Sequence, residues 1–369
     1  MATLTEYNAA IGEGLKALRR QAGLSKAKVA EKLGIGPGWI ELFESGDPPK
    51  MAVLISLINE YGGSGTSFFA QLPPLDDLRE AKSITAQASG ENLLLRFPYA
   101  RFDAQYLLPK ASLDEYDRVV SRLVETLPIN KRQAVVDAFT EAVQLWPHAN
   151  PSDLWWFAIQ RLYEERLHHP AKDCRLDLAQ SWKRTSGWAL ESVLVSHYHS
   201  HLLGRGVRIK IATRDERAKI VHDLKIADRL EADKIDVVLH GKQGSKWLFF
   251  GVVHVKASFA ERRTDDIHMS TLLKSAGYTT PLCTMDCKSS PAEYPINRGE
   301  LGTAQGARSA KRKDIEDEGY FTRCFSYNRN TVASPVTLPA DRRIYKCDFS
   351  NPNDAFSKFI VQRWRAFMA

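Results

Sequence analysis

The chain has 369 residues, of which 44% are hydrophobic and 26% are charged, with a net charge of +7. This composition excludes an intrinsically disordered protein, the length allows two or three domains, and the positive charge favours a polyanionic partner. No apolar run reaches the roughly 18 residues of a membrane helix, and the start MATLTEYNAAIGEG lacks the segments of a secretory signal. Because the five cysteines are an odd number scattered along the chain, we expect free thiols, a cytoplasmic location and no membrane association.

Residues 10–65 have the spacing of short amphipathic helices joined by tight turns. Ser25 is placed to cap one helix that ends at Gly34, and Pro37 begins the next helix, which ends at Gly46. This order resembles the helix-turn-helix domain of the lambda-repressor/Cro type. We therefore predict an all-α DNA-binding domain over residues 1–70.

In that family the second helix of the motif enters the major groove of DNA. The corresponding segment here is 36–45, and the resemblance implies DNA contact at Gly36, Pro37, Gly38 and Glu41. The sequence GPG offers few side chains that read bases, so a helical protein-interaction module remains the alternative.

Glycine- and proline-rich segments, GGSGTS and LPPLDD, follow the motif and predict a domain boundary. From about 77 to 180 the apolar spacing predicts mostly helices, which we assign to a helical linker or subdomain over residues 71–175. The adjacent Trp155 and Trp156 are able to stack on bases, but a place in a helical core is the favoured interpretation.

The pattern changes after residue 185, where helix and strand signals alternate. A helix around Glu191 precedes the strand VRIKIAT, the strand KIDVVLHG, the turn KQGS and the long apolar strand KWLFFGVVHVKAS. A helix at DIHMSTLLKSAG and a strand at YTTPLCTMDCKS follow. This order predicts an α/β core with a mixed sheet, in a domain over residues 176–369.

Three chemically active side chains lie at the hairpin of this core. Asp236 is on the first strand, while His254 and Lys256 are two residues apart on the second and therefore point to the same face. Carboxylates can hold Mg²⁺ at a phosphodiester, and a lysine can orient water and stabilise developing negative charge.

The segments KID and HVK resemble the motif of the PD-(D/E)XK nucleases, and the resemblance covers roughly residues 185–290. It implies that Asp236 and Lys256 are catalytic and that Glu191, on the preceding helix, joins Asp236 in holding Mg²⁺. The runs VHVKASFAERRTDDIHMS and TMDCKSSPAEYPINRGELG are further similar to type II restriction endonucleases grouped around BsaWI. That similarity implies double-stranded DNA as the partner, a short palindromic site with a CCGG core in several relatives, and a homodimer.

His254 departs from the motif, because the family has an aspartate or glutamate at that position and imidazole is a poor ligand for Mg²⁺. Glu191 and Glu261 are equal candidates for the second carboxylate. A rival site is the intact Asp-x-Lys formed by Asp286 and Lys288, although the hairpin geometry favours the first site.

Four charged residues after the catalytic strand are candidates for reading bases. Arg262 and Arg263 are able to donate to guanine, and Asp265 or Asp266 to accept from a cytosine amino group, unless the run is a solvated helix start. We predict a Mg²⁺-dependent type II restriction endonuclease. The alternatives are a transcriptional regulator with an inactive nuclease fold, and a nuclease that selects DNA structure or methylation.

Overall fold

The computed structural model describes residues 4–73, 84–99, 102–169, 177–223, 235–258, 263–302 and 308–369. The chain divides into two compact units, Met1–Ser83 and Ile84–Ala369. Within the described ranges, none of the helices combines the length and the apolar character that crossing a bilayer requires.

The described part of the first unit is all helical. Its helices are α1 (Leu4–Gln21), α2 (Lys26–Leu33), α3 (Pro37–Glu44), α4 (Met51–Glu60) and α5 (Gly65–Ala70). Ser25 accepts a hydrogen bond from the backbone N–H of Lys28, and Gly34 ends α2 with a φ of 65°. The predicted caps of the helix-turn-helix are therefore present.

A buried ion pair joins α1 to α3. The guanidinium of Arg19 donates to both oxygens of Glu44, with Nε–Oε1 at 2.5 Å and Nη2–Oε2 at 2.9 Å. This bidentate geometry is the strong form of an arginine–carboxylate contact. It fixes α3 on a core that contains Leu15, Ile40 and Leu57.

The second unit begins with an antiparallel sheet where the sequence predicted helices. Its strands are β1 (Thr85–Ser89), β2 (Asn92–Tyr99) and β3 (Phe102–Leu108), in that order. The helical prediction is wrong here because the run of three leucines hides a period of two: Leu93, Leu95 and Phe97 are buried, whereas their neighbours are not.

Helices follow this small sheet. They are α6 (Leu113–Thr126), α7 (Lys131–Leu145), α8 (Pro151–Asp153) and α9 (Gln160–Glu164), with a π-helical turn, Leu154–Ile159, between the last two. Trp155 is 1% exposed and packs on Phe139 and Trp182, which supports its interpretation as a core residue rather than a base-stacking one.

A six-stranded mixed sheet forms the centre of the second unit, as predicted. Its strands, in spatial and chain order, are β4 (Val207–Ile211), β5 (Val237–Gln243), β6 (Lys246–Lys256), β7 (Leu282–Thr284), β8 (Cys324–Ser326) and β9 (Ile344–Lys346). Strands β4 to β6 pair antiparallel, and β6 to β9 pair parallel.

Helices cover both faces of this sheet. They are α10 (Leu178–Leu203), α11 (Arg214–Asp223), α12 (Arg263–Ser275), α13 (Ala310–Glu316) and α14 (Ala355–Met368). Val253 of β6 joins the large core that includes α10 and α14, whereas Val252 joins a separate cluster with Met269 of α12. Burial on both faces explains why the sequence of β6 is almost continuously apolar.

Candidate nuclease site

The β5–β6 hairpin brings Asp236 and Lys256 together as the sequence predicted. Val237 pairs with Val253 in the antiparallel register, so Asp236, one residue earlier, lies beside His254. The distance from Lys256 Nζ to Asp236 Oδ2 is 3.9 Å. Lys234, the first residue of the KID segment, lies outside the described residues.

Lys256 has a second carboxylate partner, which the sequence did not indicate. Its Nζ lies 3.2 Å from Oδ2 of Asp266, in the first turn of α12. Burial lowers the pKa of the amine, but the charges of Asp266 and Asp236 outweigh that effect and raise the net pKa. The lysine is therefore a cation at neutral pH.

His254 is completely buried behind this pair. Its Nδ1 lies 3.8 Å from Oδ1 of Asp266, a distance too long for a hydrogen bond. Neither ring nitrogen has a hydrogen-bond partner among the described residues. The ring also packs edge-on against Phe321, at 5.3 Å between centroids.

Glu191 faces the same cluster from α10, the helix that packs on β4 and β6. Its side chain is buried, and burial together with the charge of Asp236 raises the pKa of Glu191 to about 7. The charges of Arg132, Lys256 and Arg217 oppose this shift. Burial also raises the pKa of Asp236, although Lys256 and His254 oppose it.

The structure describes only some of the other residues that the sequence predicted for catalysis or base reading. Glu261 and Arg262 lie outside the described residues, and only the backbone of Arg263 and Asp265 is described, at the start of α12. Asp266 is 9% exposed. Its carboxylate turns towards the lysine of the cluster and not towards an open surface.

The rival motif at Asp286 has a different environment. Asp286 is fully buried, with a φ of 49°, and Oδ1 accepts hydrogen bonds from the backbone N–H groups of Glu300 at 2.5 Å and Leu301 at 3.0 Å. The hydroxyl of Thr331 donates to Oδ2. These three donors use the carboxylate to hold a loop, while Lys288 is exposed.

On the helix-turn-helix unit, the structure exposes all four residues predicted to contact DNA. Gly36, Pro37, Gly38 and Glu41 lie at the surface of α3 or at its N-cap. A Cβ added to Gly38 would meet no atom within 4 Å.

Comparison with known proteins agrees with this architecture. A helix-turn-helix domain model matches residues 10–67. Type II restriction enzyme AgeI of Thalassovita gelatinovora is 35% identical over 270 residues, which cover 70% of this chain and 94% of AgeI. The chain belongs to the type II restriction enzymes. It is therefore a site-specific deoxyribonuclease.

Solved structures of restriction endonucleases also match this restriction enzyme. A crystal structure of specific restriction endonuclease AgeI in complex with DNA has a TM-score of 0.66 and 33% identity, covering 73% of this chain and 99% of that one. A crystal structure of a pre-specific BsaWI–DNA complex has a TM-score of 0.37 and 15% identity, covering 69% and 94%. The predicted family and fold class are confirmed.

The restriction enzyme has a donor set that suits Mg²⁺ in the presence of DNA. No group of three or more histidine, cysteine, aspartate or glutamate side chains in the described ranges is arranged to hold a metal ion. Mg²⁺, however, is often held by one or two carboxylates, with substrate phosphates and water completing its shell. Asp236 and Glu191 supply two such carboxylates, and burial raises the pKa of each, so a bound cation would stabilise their charged forms.

Sequence reasoning missed three members of the cluster. Asp266 was assigned to base reading, and Arg132 and Arg217 were not singled out. Arg132 belongs to α7, and its side chain donates a hydrogen bond to Ser192 Oγ at 2.7 Å. The two residues are 60 positions apart in the chain. No local pattern marks such a residue; only the packing of α7 against α10 brings it near Glu191.

Proposed function

We propose that this restriction enzyme hydrolyses double-stranded DNA in a Mg²⁺-dependent reaction at the site formed by Asp236, Glu191 and Lys256. The observation that carries the proposal is the convergence of a buried carboxylate, a partly buried carboxylate and a charged lysine at the end of β6, in a chain that belongs to this family. This arrangement supports membership of the PD-(D/E)XK group.

Each residue has a distinct role in the proposed reaction. Asp236 and Glu191 would hold Mg²⁺, whose contribution when bound is to polarise the scissile phosphate. The ammonium of Lys256 orients the attacking water by hydrogen bonding and stabilises the negative charge that grows on the phosphate oxygens. Because Lys256 Nζ lies within 4 Å of Asp236, it can act on the same phosphate.

We base the proposed DNA target and the proposed homodimer on the relatives of this chain. AgeI has been crystallised in complex with DNA, and this chain covers 99% of that structure. We infer a short palindromic target, possessing a CCGG core as in the enzymes around BsaWI that the run after Lys256 resembles. A palindrome is matched by a two-fold homodimer that makes one cut in each strand. The four described cysteines are free, which supports a cytoplasmic location.

We further propose that α3 of the helix-turn-helix unit contacts DNA. The exposure of Gly36, Pro37, Gly38 and Glu41 supports this assignment. Because Gly36 and Gly38 have no side chains, the backbone at the start of α3 can approach the DNA duplex closely.

A cleavage assay tests the function. Purified protein is incubated with unmethylated plasmid DNA with and without Mg²⁺, and the products are mapped by sequencing their ends. We expect discrete fragments that share one palindromic sequence and require the metal. Binding to a specific operator with no cutting at any Mg²⁺ concentration would instead support the regulator with an inactive nuclease fold, which His254 at the family's acid position favours.

A further inference from the structure

We propose that Arg132 and Arg217 bind DNA phosphates next to the scissile one and thereby hold the strand at the carboxylates of Glu191 and Asp236. The inference rests on the proposed function, because it names contacts between the DNA and the same site. It adds two residues, from α7 and α11, to a site whose proposed catalytic residues lie on α10 and the β5–β6 hairpin.

Arg132 is held beside Glu191 by a hydrogen bond to the next residue of α10. Its Nε donates to Ser192 Oγ at 2.7 Å, and the Ser192 hydroxyl donates in turn to the carbonyl of Trp188 at 3.0 Å. Trp188 is 57% exposed, so this side of α10 is open to solvent. The contact uses one of the five N–H groups of the guanidinium, and the two Nη groups have no acceptor among the described residues.

Arg217 belongs to the helix that begins beside the other carboxylate. It lies in the first turn of α11, where its backbone N–H donates to the carbonyl of Thr213 at 3.0 Å. The preceding residue, Ala212, donates its backbone N–H to the carbonyl of Asp236 at 3.1 Å. The Nε of Arg217 is buried and has no hydrogen-bond partner within the described ranges. A buried donor of this kind is favourable only when an acceptor reaches it or its guanidinium turns towards one.

The charges of both arginines reach the site without a close ion pair. Neither pairs with a carboxylate in the described part of the chain, whereas the fully buried Arg312 pairs with Glu316 at 2.9 Å. Burial and the charge of Asp236 raise the pKa of Glu191, and the charges of both arginines oppose that rise. Two cations that lack a close partner beside a DNA-cleaving site are available to bind phosphate.

A DNA phosphate is the anion that suits both positions. The planar fork of a guanidinium matches two phosphate oxygens in a bidentate contact. We assign the arginines to neighbouring phosphates, because Lys256 is assigned to the scissile one and the arginines belong to two other elements. Contacts of this kind fix the register of the strand at the site without reading its sequence.

The test measures the Kd of the full chain for a short DNA duplex without metal, over a range of salt concentrations. Arg132→Gln and Arg217→Gln each remove one positive charge. The control is Arg118→Gln on α6, whose side chain is 63% exposed and paired with Glu141. We expect each of the first two variants to bind about 10-fold more weakly. The slope of log K against log salt should fall by about 1 in each, and the control should bind as wild type does.

A duplex with neutral backbone positions locates the contacts. Phosphates of the cleaved site are replaced one at a time by methylphosphonate, and the Kd is measured for wild type and for both glutamine variants. Each arginine should be matched by a phosphate near the cleavage position whose neutralisation weakens binding of the wild type but not of that arginine's variant. Arg132→Lys and Arg217→Lys keep the charge and should retain the salt slope.

Three outcomes would overturn the inference. Unchanged affinity and salt slope in both glutamine variants would show that neither arginine binds phosphate. Loss of the salt slope in the lysine variants as well would assign the arginines to folding. A changed sequence preference would make them base readers. A wild-type protein that cuts no DNA, but whose salt slope falls in both glutamine variants, would refute the proposed function alone and leave the phosphate contacts in place.

Discussion

Glu191 shows how a single buried carboxyl at the site opposes folding. Burial, together with the nearby charge of Asp236, raises the pKa of this carboxyl to about 7 in the folded protein, from its ordinary value of 4.5. Between these two values the folded state retains a proton that the unfolded chain releases. The contribution of Glu191 to stability therefore falls as pH rises through this window and stays low above it.

Replacing Glu191 with glutamine should raise metal-free stability at high pH and abolish cleavage. The neutral amide removes the cost of a buried charge, which is of the order of 3 kcal/mol at about 1.4 kcal/mol per pKa unit. Urea unfolding of both proteins at pH 5 and pH 8 measures the difference, which should be larger at pH 8. Equal gains at both pH values would show that Glu191 is not ionised there.

At the scale of single residues, the sequence indicated Asp236, Lys256 and Glu191 as site residues but not the residues that surround them. Asp236 and Lys256 could be placed because a hairpin register relates residues close in the chain. The contact of Asp266 with Lys256 could not be predicted, because it depends on how α12 packs on the sheet. Glu261 stays a prediction, because it lies outside the described residues.

Among the elements, β6 sets the position of the site because it is fixed on both sides. Its antiparallel edge pairs with β5, and its parallel edge with β7. At Gly251 the backbone of Thr279 comes so close that an added Cβ would lie 2.2 Å from the carbonyl oxygen. A glycine in a strand commonly marks such a close approach.

Alanine substitutions at two glycines should therefore have opposite effects. Gly251→Ala should destabilise the protein by about 1–3 kcal/mol, because backbone must move to admit the methyl group. Gly187→Ala, inside α10 with no atom within 4 Å of the added Cβ, should stabilise by up to about 1 kcal/mol. Thermal unfolding measures both, and a neutral Gly251→Ala would contradict the close packing of β6 on Thr279.

Helix caps, turns and one long apolar strand were predicted from sequence, whereas β2 and the strands at the far parallel edge of the sheet were not. The caps at Ser25 and Gly34 are local signals, and so is the turn after β5, where Gly244 has a φ of 61°. The short strands β7, β8 and β9 have three residues each and exist only through their neighbours in the parallel sheet. A strand was predicted around β7, whereas the sequence did not indicate β8 or β9.

For the whole molecule, the positive charge and the site belong to the same unit. Residues 1–83 contain nine of the 51 lysines and arginines and ten of the 44 aspartates and glutamates. The unit from residue 84 onward therefore has 42 basic and 34 acidic residues, a net charge of +8. Attraction to DNA phosphates should come mainly from the nuclease unit.

A fragment of residues 84–369 should consequently fold and cut the same sites as the full chain. All described residues of the site lie in this unit, and 94% of AgeI is matched by 70% of the chain. At saturating DNA the rate should be unchanged, while loss of the proposed α3 contacts should weaken binding with little effect on its salt dependence. Cleavage by the fragment at different sequences would show that the helix-turn-helix reads the target.

The most direct test of the site compares two lysines of the same enzyme. Lys256→Ala and Lys288→Ala are assayed for single-turnover cleavage, with DNA binding measured separately in the absence of Mg²⁺. Lys256→Ala should lose cleavage by about 100-fold or more while it still binds DNA, because the proposed role of its ammonium is confined to the reacting phosphate. Lys288→Ala should cut at nearly the wild-type rate. Loss of cleavage in Lys288→Ala with normal cutting by Lys256→Ala would contradict the account and move the site to Asp286.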